Sequence, residues 1–133
     1  MITITLTDPS STQALGKRLA RVLGAGDVVL LSGDLGAGKT TLARSIIAQL
    51  CGVEDAPSPT YTLVQTYPAG DAELWHADLY RIEDSAELDE LGLEDAFEEA
   101  ICLVEWPDRL GDWRPENRLE ISIRMKSDAL DTA

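Results

Sequence analysis

The chain switches between three patterns of hydrophobic and polar positions: alternation, helical spacing and short unbroken apolar runs. Met1 to Leu6 alternates apolar residues with Thr, which predicts a strand. Asp8-Pro9-Ser10-Ser11 is a turn running into a helix, and Ser10 with Gln13 fits a capping box. Leu15, Leu19, Val22 and Leu23 then recur at helical spacing, with Lys17, Arg18 and Arg21 off that face. Gly24-Ala25-Gly26-Asp27 predicts the end of that helix. Val28-Val29-Leu30-Leu31 is an unbroken apolar run, the mark of a strand covered on both faces. A glycine-rich loop from Ser32 to Gly38 follows. A helix from Lys39 to Leu50 comes next, with Leu42, Ile46, Ile47 and Leu50 on one side and Gly52 as its stop.

Pro57-Ser58-Pro59 breaks the pattern. Thr62 to Tyr67 and Glu73 to Ala77 predict an antiparallel hairpin turning at Pro68-Ala69-Gly70-Asp71. Asp84 or Ser85 caps an acidic helix, interrupted near Gly92, that runs to about Ala100. Ile101 to Val104 is a second fully apolar strand, ending at Glu105, and Arg118 to Met125 alternates as a final strand. The pattern predicts one α/β domain over residues 1–126, with a mainly parallel sheet, helices on both faces and one antiparallel hairpin. Residues 127–133 form a polar tail.

Length and composition narrow the classes. A chain of 133 residues suits one domain with its own core. No apolar run approaches the ~20 residues of a membrane helix, and no basic stretch leads an apolar one at the N-terminus. Cys51 and Cys102 form no disulfide or metal motif and read as buried thiols. A cytoplasmic protein is expected, without a membrane contact. The net charge of −13 argues against a protein that grips nucleic acid by itself. That charge is uneven: residues 1–53 carry three acids against five bases, and residues 54–133 carry 21 acids against six bases. Nine of those acids lie between Glu83 and Glu99 with no base among them. This run reads as a solvated helix face or as a docking surface for a basic partner.

Candidate chemistry centres on Gly33-Asp34-Leu35-Gly36-Ala37-Gly38-Lys39-Thr40, which matches the phosphate-binding loop G-x-x-x-x-G-K-[ST]. Glycines let successive N–H groups turn toward phosphate oxygens, and the following helix N-terminus favours negative charge. Lys39 would reach the β- and γ-phosphates of ATP, and the Thr40 hydroxyl would coordinate Mg²⁺. A carboxylate at the end of a buried strand is also required; Glu105 fits, and Asp78 is its rival. Thr60 and Thr62 lie where nucleotide-sensing loops often sit, although on sequence chemistry alone a plain proline turn before a strand is the better reading of that segment. His76 reads as a hairpin side chain, Arg81 as a structural ion pair, and Trp75 and Trp113 as packing or partner surface. No N-K-x-D motif for guanine is present.

The order of G-D-L-G-A-G-K-T-T, S-P-T-Y-T-L-V, H-A-D-L-Y-R and C-L-V-E-W-P resembles the TsaE (YjeE) family from about residue 5 to residue 125. These are small P-loop ATPases required for N6-threonylcarbamoyladenosine (t6A) synthesis at position 37 of tRNA. The resemblance implies a P-loop NTPase fold in which Gly33 to Thr41 hold the phosphates of ATP or ADP. It implies that Thr40 and Glu105 are the Mg²⁺ positions and that Asp78 lies near the γ-phosphate. Thr60 and Thr62 would form a switch-like segment, Trp106 would flank the acid, and Asp8 to Thr12 would lie near the adenine. It further implies weak hydrolysis stimulated by a TsaB–TsaD heterodimer, with tRNA contacted only through those partners. Two departures are the short tail after Met125 and Ala77 where a bulkier residue is frequent. A small P-loop kinase and a nucleotide-dependent scaffold without hydrolysis are the competing readings of the motif.

Overall fold

The two unbroken apolar runs lie side by side in the middle of one sheet, where both faces of each strand are covered. This is seen in a computed structural model, which describes residues 8–33, 38–54, 56–57, 59 and 63–123. The five strands are Val28–Gly33 (β1), Val64–Ala69 (β2), Ala72–Asp78 (β3), Ile101–Glu105 (β4) and Arg118–Ile123 (β5). They are ordered β2-β3-β4-β1-β5. The β3–β4, β4–β1 and β1–β5 pairs are parallel, and the β2–β3 hairpin is antiparallel.

Helices Pro9–Ala20 (α1) and Lys39–Cys51 (α2) form one layer, and Ser85–Leu91 (α3) and Leu93–Glu99 (α4) form the other. Successive strand residues feed opposite cores, because side chains alternate across a sheet. Val29, Leu31, Leu74 and Leu103 pack with Leu42, Ile46 and Ile47 of α2. Val28, Leu30 and Val104 pack with Leu88, Leu93 and Phe97 on the other side. A 3-10 segment, Pro107–Trp113, adds Leu110 to this second core.

Several boundaries differ from the expectation, each for a local reason. The cap of α1 is Asp8, not Ser10: its Oδ1 accepts from the Ser11 backbone N–H at 2.8 Å. Pro9 favours this earlier start, because its fixed φ suits the first helical position and it lacks an N–H to satisfy. The helix also ends earlier, at Ala20, so Val22 is 75% exposed rather than on the packed face. The hairpin turn is the two-residue Gly70-Asp71, with Ala69 opposite Ala72, and β2 runs on through Pro68. A proline is tolerated there because β2 is the sheet edge. Cys51 is half-buried rather than buried, while Cys102 is buried. The predicted first strand, Met1 to Leu6, and the chain from residue 124 onward lie outside the described residues.

Candidate functional site

Parallel pairing brings the carboxyl ends of β1, β3 and β4 together at one edge of the sheet, the place where open α/β sheets bind ligands. β1 delivers Gly33 to this edge. A Cβ at Gly33 would lie 2.2 Å from the Ile123 carbonyl oxygen, so only glycine permits this approach of β1 to β5. Asp34, Leu35, Gly36 and Ala37 lie outside the described residues. Gly38 lies in the left-handed region with φ 105°, and α2 begins at Lys39 with no side-chain cap. First-turn N–H groups of a helix lack intrahelical partners, and together with the helix dipole they favour an anion.

Lys39 is buried, and its ammonium donates to the Gly33 carbonyl. Its Nζ also lies 3.9 Å from the centroid of the Trp106 ring, in cation–π geometry. Trp106 reaches this position through a left-handed backbone, φ 59°, a conformation that costs energy for a bulky residue. Its N–H donates to the Leu31 carbonyl at 3.2 Å, and its ring tilts against Tyr80 at a centroid distance of 5.0 Å.

The two candidate acids are register partners, Asp78 on β3 and Glu105 on β4, and both are buried. They are not equivalent. Oε1 of Glu105 accepts from the Thr40 hydroxyl at 3.2 Å. Its Oε2 lies 2.7 Å from Nε2 of His76. Oδ1 of Asp78 instead accepts from the Tyr80 backbone N–H at 3.0 Å, which folds the chain immediately after β3. The structure therefore joins Lys39, Thr40, Glu105 and Trp106 to the edge where Gly33 and Asp78 end. Thr41 sits half-buried in the first turn of α2. Thr12 is buried in the first turn of α1, and among the described residues it makes none of the side-chain contacts that join this group. Thr60 and Thr62 lie outside the described residues.

His76 is the hairpin side chain expected, on β3 opposite Gln65, but it is also fully buried and bonded to Glu105. One signal in the chain pointed to it. Leu74, His76 and Asp78 alternate on β3, so His76 shares a face with a candidate acid.

As a metal site, the Thr40 hydroxyl and the Glu105 carboxylate are a pair of oxygen donors within hydrogen-bond distance. Among the described residues, no three His, Cys, Asp or Glu are grouped to hold a metal on their own. One or two protein oxygens fit Mg²⁺, which keeps waters and takes other ligands from substrate phosphates. Among the described residues no helix is long and apolar enough to cross a membrane.

The family model described as "Threonylcarbamoyl adenosine biosynthesis protein TsaE" matches residues 6–132. The tRNA threonylcarbamoyladenosine biosynthesis protein TsaE of Bacillus subtilis (strain 168) is 39% identical over 122 residues, 91% of this chain and 76% of that protein. The protein of the same name from Rickettsia conorii is 46% identical over 103 residues, 77% of this chain and 59% of that protein. The crystal structure of Bacillus subtilis YdiB superposes with a TM-score of 0.76 at 34% identity, covering 92% of this chain and 76% of that one. The sheet and its helices are those of a P-loop NTPase. The family match takes in every strand and helix that carries Lys39, Thr40, Asp78 and Glu105, and the chain belongs to the TsaE family of threonylcarbamoyladenosine biosynthesis.

Proposed function

We propose that this chain is a Mg²⁺-dependent ATPase that serves t6A37 modification of tRNA, binding and hydrolysing ATP to drive or reset a TsaB–TsaD complex. The observation that carries the reading is the 3.2 Å contact between Thr40 at the start of α2 and Glu105 at the end of β4. A hydroxyl beside a phosphate-loop lysine and a strand-end carboxylate are the two groups that a P-loop NTPase uses around its metal. Thr40 and Glu105 would hold Mg²⁺, which when bound offsets negative charge on the phosphates. Lys39 would exchange the Gly33 carbonyl and the Trp106 face for phosphate oxygens. The N–H groups of residues 33–41 would hold the phosphates in place. Asp78, beside Glu105 in register, would orient the attacking water. Thr60 and Thr62 remain the proposed switch segment, and Thr12 the proposed neighbour of the adenine. Catalysis of this kind is mostly positioning and electrostatics.

Family resemblance supports the partner pair, and the charge of −13 supports leaving tRNA contact to those partners. Phosphate release measured with and without TsaB–TsaD and tRNA tests the proposal. A slow rate alone that rises about tenfold or more with the partners is the expected outcome. No stimulation by the pair overturns the proposed role. Transfer of label from ATP to an acceptor, rather than to free phosphate, identifies a kinase instead. Full t6A synthesis by Lys39→Ala identifies a scaffold that does not hydrolyse.

A further inference from the structure

A fully buried histidine needs a reason, and His76 has one in the site rather than in the core. It stands on β3 opposite Leu103, with Leu74 two residues before it, all on the face covered by α2. An apolar side chain would suit such a position if packing were its only task. Its Nε2 lies 2.7 Å from Oε2 of Glu105, with both side chains at most 3% exposed. Its Nδ1 is buried without a hydrogen-bond partner among the described residues. The ring therefore has one polar contact in the described structure, and that contact is the carboxylate.

Glu105 divides its two oxygens. Oε2 is held by His76 from beneath the strand ends, and Oε1 faces the Thr40 hydroxyl. A carboxylate on a strand end can rotate about its terminal bond, so a partner on one oxygen fixes the plane of the group and aims the other oxygen at the site. We propose that His76 is a positioning residue for the nucleotide site: its Nε2–H donates to Oε2 of Glu105 and thereby presents Oε1 to Thr40 and the metal. This rests on the reading of Glu105 as the metal-side carboxylate. It is the reverse of the common arrangement in which a carboxylate orients a ligating histidine, with the same physical logic.

His76 is the single histidine of the chain, so its imidazole nitrogens can be observed without assignment. A long-range ¹H–¹⁵N spectrum should show a proton on Nε2, with the Nε2 signal moving in Glu105→Gln. A ring protonated only at Nδ1, or a signal indifferent to Glu105→Gln, overturns the proposal whatever any variant does. Function is read as nucleotide affinity in Mg²⁺ and in EDTA. Loss of an outer hydrogen-bond partner typically costs 10–100-fold in metal-linked affinity or activity. His76→Leu should therefore lose about tenfold or more of the affinity gained on adding Mg²⁺, with little change in EDTA. His76→Gln, which keeps an N–H near the Nε2 position, should restore most of that gain. If His76→Leu fails to fold by thermal melting, the spectrum and His76→Gln decide. Equal losses in folded His76→Leu and His76→Gln, or full Mg²⁺ dependence in His76→Leu, overturn the positioning role. Full Mg²⁺ dependence in Glu105→Gln removes the underlying assignment of Glu105 as well, which distinguishes the two failures.

Discussion

At the scale of single residues, chemistry follows surroundings. The two thiols illustrate it. Burial pushes the Cys102 thiol up to about 12, and it raises half-buried Cys51 as well. A raised pKa leaves less thiolate at any given pH, and thiolate is the reactive form. Native protein at pH 8 should therefore titrate one cysteine, Cys51, slowly with Ellman's reagent, and release Cys102 only on unfolding. Rapid reaction of two equivalents in the native state would contradict the burial of Cys102. Gly33 makes a second residue-scale test. The Ile123 carbonyl stands 2.2 Å from where a Cβ would go, so Gly33→Ala must push β1 and β5 apart at the head of the proposed phosphate loop. Nucleotide affinity, measured by titration calorimetry, should fall at least about tenfold through the lost positioning. Lys39, Thr40 and Glu105 were legible from motif and strand ending. The contact of His76 with Glu105 was not, because it spans 29 positions and depends on the pairing of β3 with β4.

At the scale of elements, helix packing decides what propensity does not. Gly16 lies inside α1, where glycine to alanine in an exposed helix would stabilise by about 1 kcal/mol. Here a Cβ would meet Ser45 of α2 at 2.5 Å from Oγ and 2.6 Å from its Cβ. Rotating the hydroxyl away relieves only the first of these, and it would also break the Ser45 bond to the Gln13 carbonyl. Gly16→Ala should therefore destabilise by about 1–3 kcal/mol, seen as a lower urea midpoint with an unchanged slope. Periodicity placed α1 and α2 but could not show that their close contact runs through this glycine. Elements with strong local signals match the expectation: α2 with its Gly52 stop, the Gly92 break and the two apolar strands, while of the two caps offered, Asp84 or Ser85, the structure uses Asp84. The 3-10 segment after Trp106 carried no periodicity and was not read at all.

At the scale of the whole molecule, charge is segregated by layer. The acids of α3 and α4 are exposed on the side of the sheet away from α1 and α2, whereas Lys39 and Thr40 of the proposed nucleotide site begin α2. If this layer docks the basic surface of a partner, reversing its charge should weaken the complex and spare nucleotide affinity. The positions must be chosen from the structure. Glu87 completes the capping box of α3, its Oε2 accepting from the backbone N–H of Asp84 at 3.4 Å and of Glu83 at 2.9 Å, so reversing it would fray the helix. Glu90→Lys, Glu98→Lys and Glu99→Lys avoid the N-terminal turns, and bases near a helix C-terminus are favourable. Partner binding of the triple variant at low salt, followed by surface plasmon resonance, should fall at least about tenfold. Unchanged binding would make the acidic layer a solvated face.

Short-range chemistry along the chain was enough to specify its local features. The run Val28 to Leu31 had to be a covered strand, G-D-L-G-A-G-K-T carried the phosphate-loop pattern on which the proposed site rests, and Ile101 to Glu105 had to end a buried strand on an acid. Each depends on neighbours within a few positions, where side-chain period and backbone freedom act directly. Tertiary structure decided what depends on register and on packing between distant segments. Asp78 and Glu105 became partners that differ in what holds them, one tied to the Tyr80 backbone and the other to Thr40 and His76. Gly16 became a contact between helices, and Glu87 a cap rather than a free surface charge. A hydrogen bond or a steric limit between segments tens of residues apart exists only once the sheet has brought them together.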